Sequence, residues 1–135
     1  MRYKVIHNHA IIIRLGEILK MKTLYVTDLD GTLLNSMDEI SEYSMSVINN
    51  LVDKGMYFTY ATARSLSSAS IVSKGLSTKM PVIVYNGAFI IEAGSGEILS
   101  SINFDNSEKQ FIINLLAQYD IYPLVYAYIN GIEKV

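Results

Sequence analysis

Cysteine is absent from all 135 residues, which excludes a disulfide framework and a thiolate metal site alike. Long apolar runs are also missing. Nothing in the chain approaches the ~18 consecutive apolar residues that a membrane-spanning helix needs, so a soluble, cytoplasmic chain with no membrane partner is expected. Positive charge is not in excess: 11 Lys and Arg against 13 Asp and Glu leave a net charge of −2, no basis for gripping nucleic acid through a basic surface. The short run Ala10-Ile11-Ile12-Ile13 is cut off by Arg14 with no small-residue cleavage site after it, so no secretory signal is expected. Half of the residues are apolar, enough to bury one modest core, as one domain or a piece of one.

The first twenty residues differ from the rest. Arg2, Lys4, Arg14 and Lys20 against Glu17 make them basic, whereas the remainder is acidic. His7 and His9 read as a solvated pair in a polar tail rather than as metal ligands. Met21-Lys22 has the look of a natural start, and residues 1–20 are expected to be an extension outside the fold.

From there the pattern is regular. Leu24 to Thr27 suits a strand buried on both faces of a parallel sheet. Ser41 is a good N-cap, Ile40 and Met45 have the spacing of a hydrophobic staple, and Ser44, Val47, Ile48, Leu51 and Val52 form one helical face that stops at Gly55. Met56 to Ala61 reads as a second strand, Ser65 to Lys74 as a serine-rich helix closed by Gly75, and Val82 to Tyr85 as a third strand opened by Pro81. Strand, helix, strand, helix, strand predicts an α/β fold with a right-handed, doubly wound parallel sheet. After Ala88 the pattern changes. Phe89 to Ile91 and Ile98-Leu99 flank a Gly94-Ser95-Gly96 turn as a hairpin, with no helix start that would make a nucleotide loop of those glycines. Asp105 with Glu108 predicts a capping box, followed by an amphipathic helix through Phe111, Ile112, Leu115, Leu116 and Tyr119. Leu124 to Ile129, Asn130-Gly131 and Ile132 to Val135 predict a last hairpin.

The chemistry is concentrated at strand ends, where ligands of open parallel sheets gather. Asp28 and Asp30, one residue apart at the end of the first strand, can converge on one spot because i and i+2 share a side of a strand. Two close carboxylates repel unless a cation lies between them, and Mg2+ is commonly held by one or two carboxylates with substrate phosphate. Gly31 gives the backbone freedom to turn or to approach a ligand. Thr62 and Arg64 end the second strand, and Asn86-Gly87 the third. A carboxylate nucleophile, a second acid, a hydroxyl and backbone N–H groups are the parts that phosphoryl transfer uses.

The string Asp28-Leu29-Asp30-Gly31-Thr32-Leu33-Leu34 after an apolar strand resembles motif I of the haloacid dehalogenase superfamily of phosphohydrolases. Ala61-Thr62-Ala63-Arg64 and Tyr85-Asn86-Gly87-Ala88 are similar to segments of its Cof-like branch with a type IIB cap, although Ala63 stands where that branch has glycine. The resemblance implies a Mg2+-dependent phosphatase of small phosphorylated metabolites. Asp28 would be nucleophile and metal ligand, and Asp30 general acid/base and metal ligand. Gly31, Thr62, Ala63, Arg64, Asn86 and Gly87 would lie on the phosphate or substrate side. It also implies a division into residues 21–93, the first half of a Rossmannoid core, and residues 94–135, the start of an α+β cap. No segment matches the later lysine motif or the Gly-Asp-x-x-Asn-Asp-type acidic motif. A separately encoded C-terminal fragment or self-association would then complete the fold. The rival readings are an inactive remnant serving as an interaction or regulatory module, and a phospho-receiver domain. The latter is disfavoured because Val84-Tyr85-Asn86 offers no aspartate on a later strand.

Overall fold

The computed structural model describes residues 23–129 and 132–134. The expectations for residues 1–20 and for the Asn130-Gly131 turn lie outside the described residues. Strand β1 (Leu24–Thr27) pairs in parallel with β2 (Tyr57–Tyr60), Leu24 opposite Tyr57 and Thr27 opposite Tyr60. A single parallel bridge, Ala61 to Ile83, hands β2 on to β3 (Val82–Val84). Antiparallel pairing continues through β4 (Phe89–Ile91) and β5 (Ile98–Ser101). The first three strands thus run parallel, as the alternation of elements predicts. The expected division at 93/94 falls in the turn between β4 and β5, inside one hydrogen-bonded sheet.

The connecting helices begin and end on local signals. In α1 (Glu42–Asp53) the Ser41 hydroxyl accepts from Ser44 N–H, and Gly55 follows at φ 98°, a left-handed stop that glycine adopts without steric cost. In α2 (Leu66–Val72) Ser65 caps Ser68 N–H in the same way. One tie between them was not foreseen. Asn49, on α1, donates to Gly75 O at 2.8 Å and accepts from Ser77 N–H at 2.7 Å, fixing the loop after α2. Here close approach matters, since a Cβ on Gly75 would lie 3.0 Å from Met45 Sδ.

The core is small. Leu29, Val82, Val84, Ala69 and Ile91 are fully buried, joined by Leu34, Ile40 and Tyr60. Ile40 is buried and Met45 packs against the same cluster, as the staple spacing predicts. The helix α3 (Asn106–Gln118) has the predicted capping box, with Asp105 accepting from Glu108 N–H and Glu108 accepting from Asp105 N–H, both at 2.8 Å. It buries no residue, and Phe111, Leu115 and Tyr119 of its apolar side are exposed. A last ribbon, β6 (Ala127–Ile129) with β7 (Ile132–Lys134), is shorter than expected at its start, since residues 124–126 are not in strand.

One expectation is corrected. β1 is not buried on both faces: Leu24, Tyr25 and Val26 are 38%, 54% and 48% exposed. Among the described residues β2 alone pairs with it, so its other edge and much of both faces stay open.

Two outcomes follow from this packing. Leu29→Ala should cost about 2–5 kcal/mol in chemical denaturation, the range for truncating a fully buried leucine. The open β1 edge and the apolar side of α3 should make the isolated chain self-associate at micromolar concentration. Light scattering should show this, with Val26→Lys combined with Phe111→Lys moving the population toward monomer.

Candidate active site

The acidic loop is shaped by the leucine at its centre. Leu29 is fully buried while Asp28 and Asp30 on either side are exposed, so burying one apolar side chain turns both carboxylates outward. The chain then makes a wide turn from Leu29 to Leu33, closed by Leu34 N–H donating to Leu29 O at 2.9 Å. Gly31 takes φ 70° within it, a left-handed value that any side chain would strain. Asp28 Oδ1 accepts from Leu29 N–H at 2.7 Å, which fixes its rotamer at the strand end.

Backbone hydrogen bonds bring the other two strand ends alongside. Ala61 N–H donates to Thr27 O at 2.8 Å, and Thr62 N–H to Ile83 O at 2.9 Å. Asn86 N–H reaches back to Thr62 O, and Tyr85 N–H to Arg64 O, each at 3.0 Å. The result is a cleft of about 370 Å³ lined by Asp28, Asp30, Ala61, Thr62, Ala63, Ile83, Asn86 and Gly87. Six of the eight residues expected at the site therefore line one cleft. Ala61 and Ile83 join as its apolar floor, which no polar motif could have flagged. Ala63 sits there without a left-handed backbone, so the missing glycine costs no strain at this position.

The remaining two, Gly31 and Arg64, act from the margin. Arg64 turns to Asp30, with Nε 3.1 and 2.9 Å from the two carboxylate oxygens and Nη2 2.6 Å from Oδ1. Its Nη1 donates to Ser68 Oγ at 3.2 Å, and Asp38 lies 3.8 Å from Nη2. The hydrogen bonds from Arg64 hold the Asp30 carboxyl below its ordinary value, against an opposing push from burial. The Asp30 side chain is 47% exposed, so solvent screens the pair and its main effect is on the charge of the cleft rather than on stability. Ser68 and Asp38 are the partners that motif reading missed. Ser68 lies four residues after Arg64, the one signal that pointed to it.

Oxygen donors suit a hard divalent cation. Asp28 and Asp30 are the carboxylates that line the cleft. The Asp30 carboxylate itself is engaged by Arg64. Among the described residues no group of three or more His, Cys, Asp or Glu gathers at one point.

The α/β sheet thus gathers two aspartates, a threonine and an Asn-Gly turn at its strand ends. Residues 25–132 match the haloacid dehalogenase-like hydrolases, and the chain belongs to that family. It is 33% identical over 110 residues, 82% of this chain and 41% of the relative, to a protein of Buchnera aphidicola subsp. Baizongia pistaciae named as a phosphatase. Over 67 residues, half of this chain and 25% of the relative, it is 37% identical to a 5-amino-6-(5-phospho-D-ribitylamino)uracil phosphatase of Bacillus subtilis. A solved structure from Thermotoga maritima superposes with a TM-score of 0.62 at 32% identity, covering 84% of this chain and 41% of that one. A phosphatase of the same superfamily from Bacteroides thetaiotaomicron gives 0.65 at 21% identity, a likeness of fold. The chain spans about two fifths of the first relative's length, or less of the others.

The Arg64–Asp30 contact sets a titration. A carboxyl held low when folded stabilises the fold above its ordinary value of 3.8 and loses that contribution as pH falls through the lowered one. Arg64→Met should raise the Asp30 midpoint toward 3.8, as read by carbon-detected NMR of the side-chain carboxyl.

Proposed function

We propose that this chain carries the nucleophile half of a Mg2+-dependent phosphatase acting on small phosphorylated metabolites through an aspartyl-phosphate. The observation behind this reading is the convergence of Asp28, Asp30, Thr62 and Asn86 on one cleft at three strand ends. Asp28 would attack phosphorus, forming the acyl phosphate as the ester P–O bond breaks, and Asp30 would give its proton to the leaving oxygen. Asp30 would then accept a proton from the water that attacks the acyl phosphate, regenerating Asp28 and releasing phosphate. The Thr62 hydroxyl and the N–H groups around Ala63 and Gly87 would hold the equatorial oxygens where charge builds. Mg2+, when held by Asp28 and the Asp30 carbonyl, would supply neutralisation of the phosphoryl charge. Arg64 would act as a substrate-side cation once it leaves Asp30, a release that the acid role of Asp30 requires.

The size of the cleft suits a phosphoryl group with a compact organic part. The similarity to a phosphatase of a phosphoribityl compound supports a sugar-like phosphate as the class to try first. Cytoplasmic residence would suit such a substrate. Among the described residues no helix is long and apolar enough to cross a membrane.

A second reading rests on the open apolar surfaces. Leu24, Tyr25 and Val26 on β1 and Phe111 and Ile113 on α3 are exposed, which favours a module that acts only with a partner polypeptide. That partner would supply the late lysine and acidic motifs, which no segment of residues 1–135 matches. On this reading residues 94–135 are the start of a cap that the partner completes.

One assay separates the two. p-Nitrophenyl phosphate hydrolysis with Mg2+ by the isolated chain should be barely above background, since each charged contact missing from such a site costs about 10²–10³-fold. Asp28→Asn should abolish what remains. Turnover at ordinary enzyme rates, lost in Asp28→Asn, would overturn the partner-dependent reading. Residual hydrolysis that Asp28→Asn leaves unchanged would overturn the nucleophile assignment.

A further inference from the structure

One wall of the cleft is held in a conformation that its own sequence does not favour. Tyr85 and Asn86 take φ 53° and 55°, and Gly87 follows at 90°. Two side-chain-bearing residues in succession in the left-handed region persist only where their surroundings over-determine them. The backbone bonds from Tyr85 to Arg64 and from Asn86 to Thr62 supply part of that constraint.

The rest comes from the β6–β7 ribbon. The Tyr85 ring meets Phe89 edge-on at 5.3 Å, Tyr126 just ahead of the ribbon at 5.2 Å and Tyr128 of β6 at 6.3 Å. Tyr128 and Glu133 are direct cross-strand neighbours. Glu133 Oε2 accepts from Ser67 N–H at 3.2 Å, in the first turn of α2, which follows directly on the Thr62–Arg64 segment. Glu133 also lies close enough to the Tyr85 hydroxyl to disfavour its ionisation, adding to burial. A single side chain of the ribbon therefore bears on both segments that wall the cleft.

The contact is only partly satisfied. Tyr85 Oη, Tyr128 Oη and Glu133 Oε1 are each buried with no hydrogen-bond partner among the described residues. Burying polar atoms without a well-formed hydrogen bond weakens docking.

We propose that Glu133 and Tyr128 are positioning residues for the cleft: docked on Ser67 and Tyr85, they hold the Tyr85–Gly87 turn and the Thr62–Arg64 segment in the geometry that receives a phosphoryl group. The ligand half rests on the phosphatase reading above, whereas the coupling between ribbon and turn does not. Neither residue touches the reacting atoms, so their influence is exerted through Tyr85 and Ser67.

The test uses amide NMR of the 135-residue chain, with inorganic phosphate and Mg2+ as the probe. In Glu133→Ala the Ser67 amide should move to an unbonded position, and the Asn86 and Gly87 amide and Cα signals should shift with it. Phosphate binding should weaken about tenfold, as expected when the binding-competent state falls to a tenth of the population. Glu133→Gln keeps an oxygen for Ser67 N–H and should restore both readouts, showing that placement rather than charge is at work. If the Ser67 signal moves while Asn86 and Gly87 stay, the ribbon does not set the turn and the proposal fails. If the turn responds but phosphate perturbs Thr62, Asn86 and Gly87 in no variant, the positioning link stands and the phosphatase reading fails. Should Glu133→Ala not fold, Tyr128→Phe decides. It removes one unpaired hydroxyl while keeping the ring, so amide protection in β6 and β7 should rise. Unchanged protection would overturn the claim that docking is weakened by unpaired groups.

Discussion

Two backbone hydrogen bonds hold the site together: Ala61 N–H to Thr27 O and Thr62 N–H to Ile83 O. They occur where β1, β2 and β3 end, and without them the three polar strand ends would lie on separate loops. Each is an ordinary amide–carbonyl bond of about 1 kcal/mol net worth. Their importance is geometric. They carry the parallel register one residue past the regular strands, so Thr62 is buried against the ends of its neighbours while the aspartates stay open to solvent. The antiparallel β4 and β5 then back the third strand and close one side of the sheet.

Within that frame the charges are arranged asymmetrically. Among the described residues the Asp28 carboxylate accepts from Leu29 N–H alone, whereas Asp30 is held on both oxygens by Arg64. Two carboxylates one residue apart therefore differ in availability. Among the described residues no cation is bonded to Asp28, whereas the Asp30 carboxylate is covered by Arg64.

Much of this was legible in the sequence because the signals were local. Ser41 and the Asp105–Glu108 pair each carry their cap in the residues themselves, and the structure forms both. The α/β alternation gave the parallel order of β1, β2 and β3, and the polar strand ends followed from it. What escaped reading was non-local. The burial assumed for Leu24, Tyr25 and Val26 depends on neighbours that an apolar run cannot specify, and those residues are exposed. The Asn49 tie spans 26 residues to Gly75 and 28 to Ser77, and the Glu133 contact spans 66 to Ser67, distances over which spacing carries no information. Arg64 was placed correctly at the second strand end, but its choice of Asp30 over a substrate-side position is a matter of side-chain direction that a motif does not encode.

The capping box of α3 has a meaning beyond the helix itself. Both of its hydrogen bonds lie within four residues, so the first turn is organised without help from the core. The apolar side that carries Phe111, Leu115 and Tyr119 therefore follows on a first turn that its own residues fix. A surface that arrives preorganised loses less conformational entropy on meeting a partner than one that must first coil.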